Sequence, residues 1–160
     1  MNEAKTLQVT LPSDREIKMT RVFDAPRTLV FDAYTKPEHL VHWFGRRGDV
    51  LKVCEVDLRP GGSYRFVWDL REGGEMGMHG DYHEVARPER LVNTEIFDEF
   101  ADMGEGLNTL TLAESGGRTT MTAIALYADK ETRDAVIASG MEGGASETFD
   151  RLAELLATLV

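Results

Sequence analysis

His39 and His42 stand three residues apart, a spacing at which two imidazoles on one helix face could share a metal ion. No cysteine or third histidine follows at a ligand-like distance, and His-Glu-x-x-His is absent, so no metal and no other cofactor is expected. Leu40 and Trp43 beside them read instead as the apolar side of an amphipathic helix. His79 and His83 flank Gly80-Asp81-Tyr82; on a regular strand Tyr82 and Glu84 share one face, and Asp81 and His83 the other. If His79, Tyr82 or Glu95 lay buried beside apolar rings, desolvation would raise a carboxyl pKa and lower an imidazole pKa, which suits proton transfer near neutrality. Other chemistries have no carrier. There is no Gly-x-Ser-x-Gly elbow, and Cys54 sits in Val53-Cys54-Glu55-Val56 with no adjacent basic group to stabilise a thiolate. The glycine pairs fall in hairpin turns rather than between a strand and a crossover helix, so neither a P-loop nor a dinucleotide fingerprint is present.

These side chains must be positioned by the chain's elements. Its 160 residues are 42% hydrophobic and 29% charged, a globular composition. The length suits one domain over 15–160, preceded by an N-terminal extension over 1–14. A net charge of −10 argues against a phosphate-tracking surface, so nucleic acid is not an expected partner. One cysteine excludes an intrachain disulfide, Met1-Asn2-Glu3 does not begin a signal peptide, and no apolar run is long enough to span a membrane; a cytoplasmic location is expected.

Residues 15–23 alternate as a half-buried strand. Asp24-Ala25-Pro26 starts a short helix through Tyr34, and Thr35-Lys36-Pro37-Glu38 has the capping-box spacing for a second, which Gly45 ends. From 50 to 127 the pattern is an antiparallel meander: strands over 50–57, 62–70, 76–85, 90–97, 107–113 and 118–127. The clearest alternation sets Tyr64, Phe66, Trp68 and Leu70 against Ser63, Arg65, Val67 and Asp69, which puts three rings on one face. Something must cover them. Met141, Ala145, Phe149, Leu152, Leu155, Leu156 and Leu159 recur at helical spacing and supply the cover. The fold class is α+β: strand, two short helices, curved sheet, long helix.

The order and several motifs resemble the helix-grip fold of the SRPBCC (START-like) superfamily. Phe23-Asp24-Ala25-Pro26-Arg27, followed by Thr35-Lys36-Pro37-Glu38-His39-Leu40 and Trp43-Phe44-Gly45, is similar to the entry segment of the bacterial branch named after the activator of the heat-shock-protein-90 ATPase. Asp57 to Gly62, Met76 to Gly80, Pro88 to Val92 and Ala138 to Glu142 are similar to the same branch. The eukaryotic namesake carries a separate N-terminal domain, for which 160 residues filled by one helix-grip domain leave no room.

The resemblance implies a sheet wrapped around the final helix, with space between them for a small, largely apolar or aromatic molecule. The expected lining is Trp43, Phe44, Tyr64, Phe66, Trp68, Met76, Met78, Met121, Met141 and Phe149, with His79, Tyr82 and Glu95 as polar neighbours; methionine repacks easily around a variable guest. Gly77, Gly80, Gly143 and Gly144 either make room for that guest or mark bends of the chain. Two alternatives stay open: a polyketide cyclase/aromatase-like enzyme using acids and bases of the pocket, and a co-chaperone-like protein-binding module. A homodimer also stays open.

Overall fold

Alternating apolar residues build a sheet of eight antiparallel strands, seen in a computed structural model that describes residues 5–160. Met1-Asn2-Glu3 and Ala4, the start of the expected N-terminal extension, lie outside the described residues. In chain order the elements are β1 (Gln8–Thr10), β2 (Glu16–Phe23), α1 (Arg27–Thr35), α2 (Pro37–Trp43), β3 (Val50–Val56), β4 (Ser63–Asp69), β5 (Glu75–Ala86) and β6 (Arg90–Phe97). A 3-10 turn (Asp98–Met103) leads into β7 (Gly106–Ser115), β8 (Arg118–Leu126), α3 (Lys130–Ala138) and α4 (Met141–Leu159). The strand order is β1-β2-β8-β7-β6-β5-β4-β3, so β2 crosses over to pair with β8 while β3 to β8 form a meander. This is an α+β helix-grip fold: the curved sheet presents one face to α4, with α1 and α2 packed at its side.

Three elements go beyond the sequence reading. β1 pairs with β2 through Val9 opposite Met19. The 3-10 turn follows β6, and α3 begins at Asp129, whose side chain accepts the Thr132 amide as an N-cap. The expected capping box does not form. Lys36 is the N-cap of α2 and makes no side-chain cap; the Thr35 hydroxyl instead donates back to the Phe31 carbonyl at 2.8 Å, inside α1. Pro37 at the first helical position starts α2 without a cap, because its fixed φ suits that turn and its missing N–H is no loss there.

The core lies between the inner face of the sheet and the helices, centred on Phe23, Phe31, Trp43, Leu152 and Leu156. Phe149, Leu152 and Leu156 are the buried side of α4, and burying three such side chains contributes about 2 kcal/mol each before ordering costs. Two indoles are also tethered: Trp43 Nε1 donates to the Ala33 carbonyl at 2.9 Å, and Trp68 Nε1 to the Phe44 carbonyl at 2.7 Å. These bonds fix the α1–α2 knuckle against β4.

Between α2 and β3 lies a polar knot. Asp49 accepts from the Arg46 backbone N–H (3.0 Å), Arg46 Nε (2.9 Å), Arg46 Nη2 (3.1 Å) and the Arg71 backbone N–H (2.9 Å). Burial pushes this carboxyl up, but the donors from Arg46 and Arg71 more than offset that and hold it below its ordinary value. Arg71 reaches on to Glu147 of α4, and Arg151 of α4 donates to the carbonyls of His42, Gly45 and Arg46. α4 is thus strapped to the knuckle by charge-assisted bonds.

Candidate functional site

The register of the strands sorts the expected site residues by face. One inward row holds Cys54, Phe66, Met78 and Phe97; the next holds Val56, Tyr64, Gly80 and Glu95's neighbourhood on β6. Trp68, Phe66, Tyr64 and Tyr82 form a continuous aromatic wall, with ring centroids 6.0 Å apart for Phe66 and Trp68, 5.1 Å for Tyr64 and Phe66, and 5.4 Å for Tyr64 and Tyr82. Phe44 stands edge-on to Phe66 and Trp68, at 5.2 and 5.3 Å. Trp43, Tyr34 and Phe149 make a second group, and Phe44 joins the two through Trp43 at 5.3 Å.

Nine of the ten expected apolar lining residues face this interior as part of the core or against it: Trp43, Phe44, Tyr64, Phe66, Trp68, Met76, Met78, Phe149 and the fully buried Met121 on β8. Met141, at the first turn of α4, is half-buried but lies outside the core cluster. Cys54 is half-buried in the inward row, and burial pushes its thiol up to about 11, so it packs as a small apolar group and not as a thiolate.

His79 turns the other way. It shares the outer face with Arg65 and Glu55, and its Nδ1 lies 2.9 Å from Asp98, which also takes Arg65 Nη2 at 2.7 Å. The Arg65 guanidinium, against a smaller cost of burial and with help from His79, holds Asp98 below the usual carboxylate range. Gly77 makes this possible: a Cβ there would come within 2.2 Å of the Asp98 carboxylate. An open groove of about 530 Å³ on this outer side is lined by Glu55, Asp57, Ser63, Arg65, His79 and Asp81 among others. The sequence also grouped Tyr82 with Glu84. A bulge between them breaks the alternation, so Tyr82 faces inward while Glu84 turns outward to Arg90.

The inner face is not wholly apolar. Tyr64 donates its hydroxyl to the Thr94 carbonyl at 2.6 Å, in the space a Gly80 side chain would fill; a Cβ on Gly80 would stand 2.0 Å from that same oxygen. Asn93 donates to the Tyr64 hydroxyl at 3.2 Å, and Asn108, opposite Asn93 on β7, donates to Glu95. Burial raises the Glu95 carboxyl above its ordinary value, against a smaller opposing effect of the Asn108 amide. Sequence reasoning found Glu95 but not its partners, since an asparagine in a strand carries no signal until the register is known.

Two further inward residues escaped the sequence reading. Arg21 on β2 stands directly opposite Met121, with its side chain only 7% exposed, and Nη1 donates to Asp150 of α4 at 2.6 Å. The guanidinium carbon lies 5.3 Å from the Phe23 ring centroid. Tyr34 on α1 donates its hydroxyl to the Met121 sulfur at 3.2 Å, and burial pushes that phenol far above its ordinary value. Arg21 sits in an alternating run where an apolar residue was the natural expectation.

A family model described as Activator of Hsp90 ATPase homolog 1-like protein matches residues 24–157. Among solved structures, a protein from Rhodobacter sphaeroides is 33% identical, with 96% of this chain and 99% of that one covered and a TM-score of 0.89. A protein from Nitrosomonas europaea is 26% identical over 92% of this chain and 97% of its own, at a TM-score of 0.82. One from Mycobacterium smegmatis is 25% identical over 94% and 96%, at 0.85. No curated protein matches the sequence.

Proposed function

The chain belongs to the family of Activator of Hsp90 ATPase homolog 1-like proteins, and from that premise we propose that it binds a small, largely apolar or aromatic molecule between the aromatic wall of β4 and β5 and helix α4. The observation that carries this reading is the polar floor inside the apolar wall. The half-buried Glu95, Asn108 and Asn93 and the buried Tyr64 hydroxyl sit together on the inward face, polar groups set beside an apolar wall where a guest's polar end can be bonded. The guest enters by moving side chains: Phe44 and Met76 are both half-buried against the core, and a thioether repacks at little cost. Burial of about 200 Å² of apolar guest is worth roughly 5 kcal/mol before ordering costs, so polar anchors decide useful affinity.

Native mass spectrometry of freshly purified protein, followed by denaturing extraction, tests this reading. A small apolar molecule released from the protein is the expected result. Absence of any such molecule, together with unchanged Trp43 and Trp68 fluorescence on adding an apolar aromatic alcohol, overturns it.

A second reading is favoured by the same carboxyl. With its pKa raised by burial, Glu95 is suited to exchange a proton with a carbonyl-bearing guest, as a general acid or base would. Deuterium exchange next to the carbonyl of a bound ketone, abolished by Glu95→Gln, is its signature. A docking role would need a contiguous exposed apolar patch; the exposed large apolar residues among those described are Leu11, Val41, Val50, Phe100, Ile137, Leu159 and Val160.

A further inference from the structure

Two hydrogen-bond donors flanking Met121 are poorly satisfied inside the molecule. Arg21 offers five N–H groups, yet among the described residues its one acceptor is Asp150, reached by Nη1. Its Nε is shut away from water and has no hydrogen-bond partner among the described residues. Leaving a buried donor of a charged group unpaired is costly, and natural structures rarely tolerate it without a use. Tyr34, on a different element, has only the Met121 sulfur, a weak acceptor. Met121 is also the residue directly across from Arg21 in the sheet. Met121 is therefore neighbour to both, across the sheet from Arg21 and hydrogen-bonded to the Tyr34 phenol.

We propose that Arg21 and Tyr34 form an anion-recognition subsite for a carboxylate carried by the guest, with Met121 as the movable plug that fills it in the guest's absence. This rests on the reading that the interior takes a guest, and adds the chemical class of its polar end. Arg21 keeps Asp150 on Nη1, which leaves without an acceptor on Nε the edge by which a guanidinium binds carboxylate through two parallel bonds. The Tyr34 hydroxyl supplies a third donor from the helix side. Met121 can yield because its unbranched side chain turns about three bonds. Phe23, Tyr34 and Phe149 lie around the same place, with Phe149 6.4 Å from both other rings, and give an aromatic body apolar contact on leaving water. Asp150 is half-exposed and belongs to α4, so the counter-ion that neutralises Arg21 sits on the helix that covers the guest.

Calorimetric titration with 2-naphthoate and with 2-naphthalenemethanol, which has the same ring system and no charge, tests the subsite. The intact protein is expected to bind the carboxylate about tenfold more tightly than the alcohol near pH 7. Arg21→Met should remove that advantage and leave the affinity for the alcohol within about twofold, while Tyr34→Phe costs the carboxylate about threefold. Asp150→Asn keeps an acceptor for Arg21 Nη1, serves even where Arg21→Met fails to fold, and should tighten the carboxylate by about threefold by removing a competing negative charge. Alcohol and carboxylate binding equally well to the intact protein overturns the subsite and leaves the apolar guest reading standing. So does an Asp150→Asn variant with unchanged or weaker naphthoate binding. Failure of both compounds to bind overturns the subsite and the guest reading together.

Discussion

Asp49 and Arg21 are both buried charges, and their surroundings could hardly differ more. Asp49 receives four hydrogen bonds from Arg46 and Arg71, and its network continues to Glu72 and to α4. Arg21 has one partner and an unpaired Nε. A charge with a full set of partners stabilises the native state or at least offsets its own desolvation; a charge left short is a cost unless something else completes it. The first arrangement belongs to structure, holding the knuckle, β3 and α4 together. The second belongs to recognition.

Breaking the satisfied site should have the largest effect. Asp49→Ala leaves the Arg46 guanidinium with Glu72 alone and strands two backbone N–H groups, and should lower unfolding free energy by about 3 kcal/mol in urea denaturation. Because the Asp49 carboxyl is held below its ordinary value, its contribution is complete above the unfolded-state pKa and is lost as pH falls through the folded one. The wild-type protein should therefore lose stability in acid more steeply than the Asp49→Ala variant.

Glu95 should behave in the opposite sense. A carboxyl raised by burial binds more protons in the folded state, so its burial costs stability increasingly as pH rises from the unfolded value through the folded one. Glu95→Gln should raise Tm by about 3 °C near pH 8, and the gain should vanish near pH 4, where both states are protonated. Differential scanning calorimetry at the two pH values reads this directly.

The smallest change in stability is expected at Arg21. Arg21→Met removes an unpaired buried donor and leaves Asp150 half in water, so unfolding free energy should stay within about 1 kcal/mol of wild type. A loss as large as that of Asp49→Ala would erase the contrast between the two regions and return Arg21 to a structural role.

How much of this could be read from the chain follows from where the information resides. The rings of Tyr64, Phe66 and Trp68 repeat every second residue, and Phe149, Leu152 and Leu156 every three to four, so the wall and its cover are local patterns. The partners of Glu95 and Arg21 are not local. Asn108 becomes relevant only through the β6–β7 register, and Asp150 only because α4 folds back over β2. The bulge after Tyr82 defeats parity counting, since a single extra residue reverses the side to which Glu84 points. His79 misled for the opposite reason: it directly follows inward Met78 on an unbroken stretch of strand, so alternation already sets it on the outer face, where it pairs with Arg65. Thr35 and Glu38 have the spacing of a capping box, but the Thr35 hydroxyl is already engaged within α1.

The ion pair across the interior joins positions 129 apart in sequence. A contact so distant closes late, both during synthesis, when β2 emerges well before α4, and during refolding, when the entropy of so large a loop must be overcome first. Until α4 arrives, the Arg21 charge on β2 has no counter-ion and the aromatic wall has no lid. A small acid present at that stage would meet Arg21 before its protein counter-ion does.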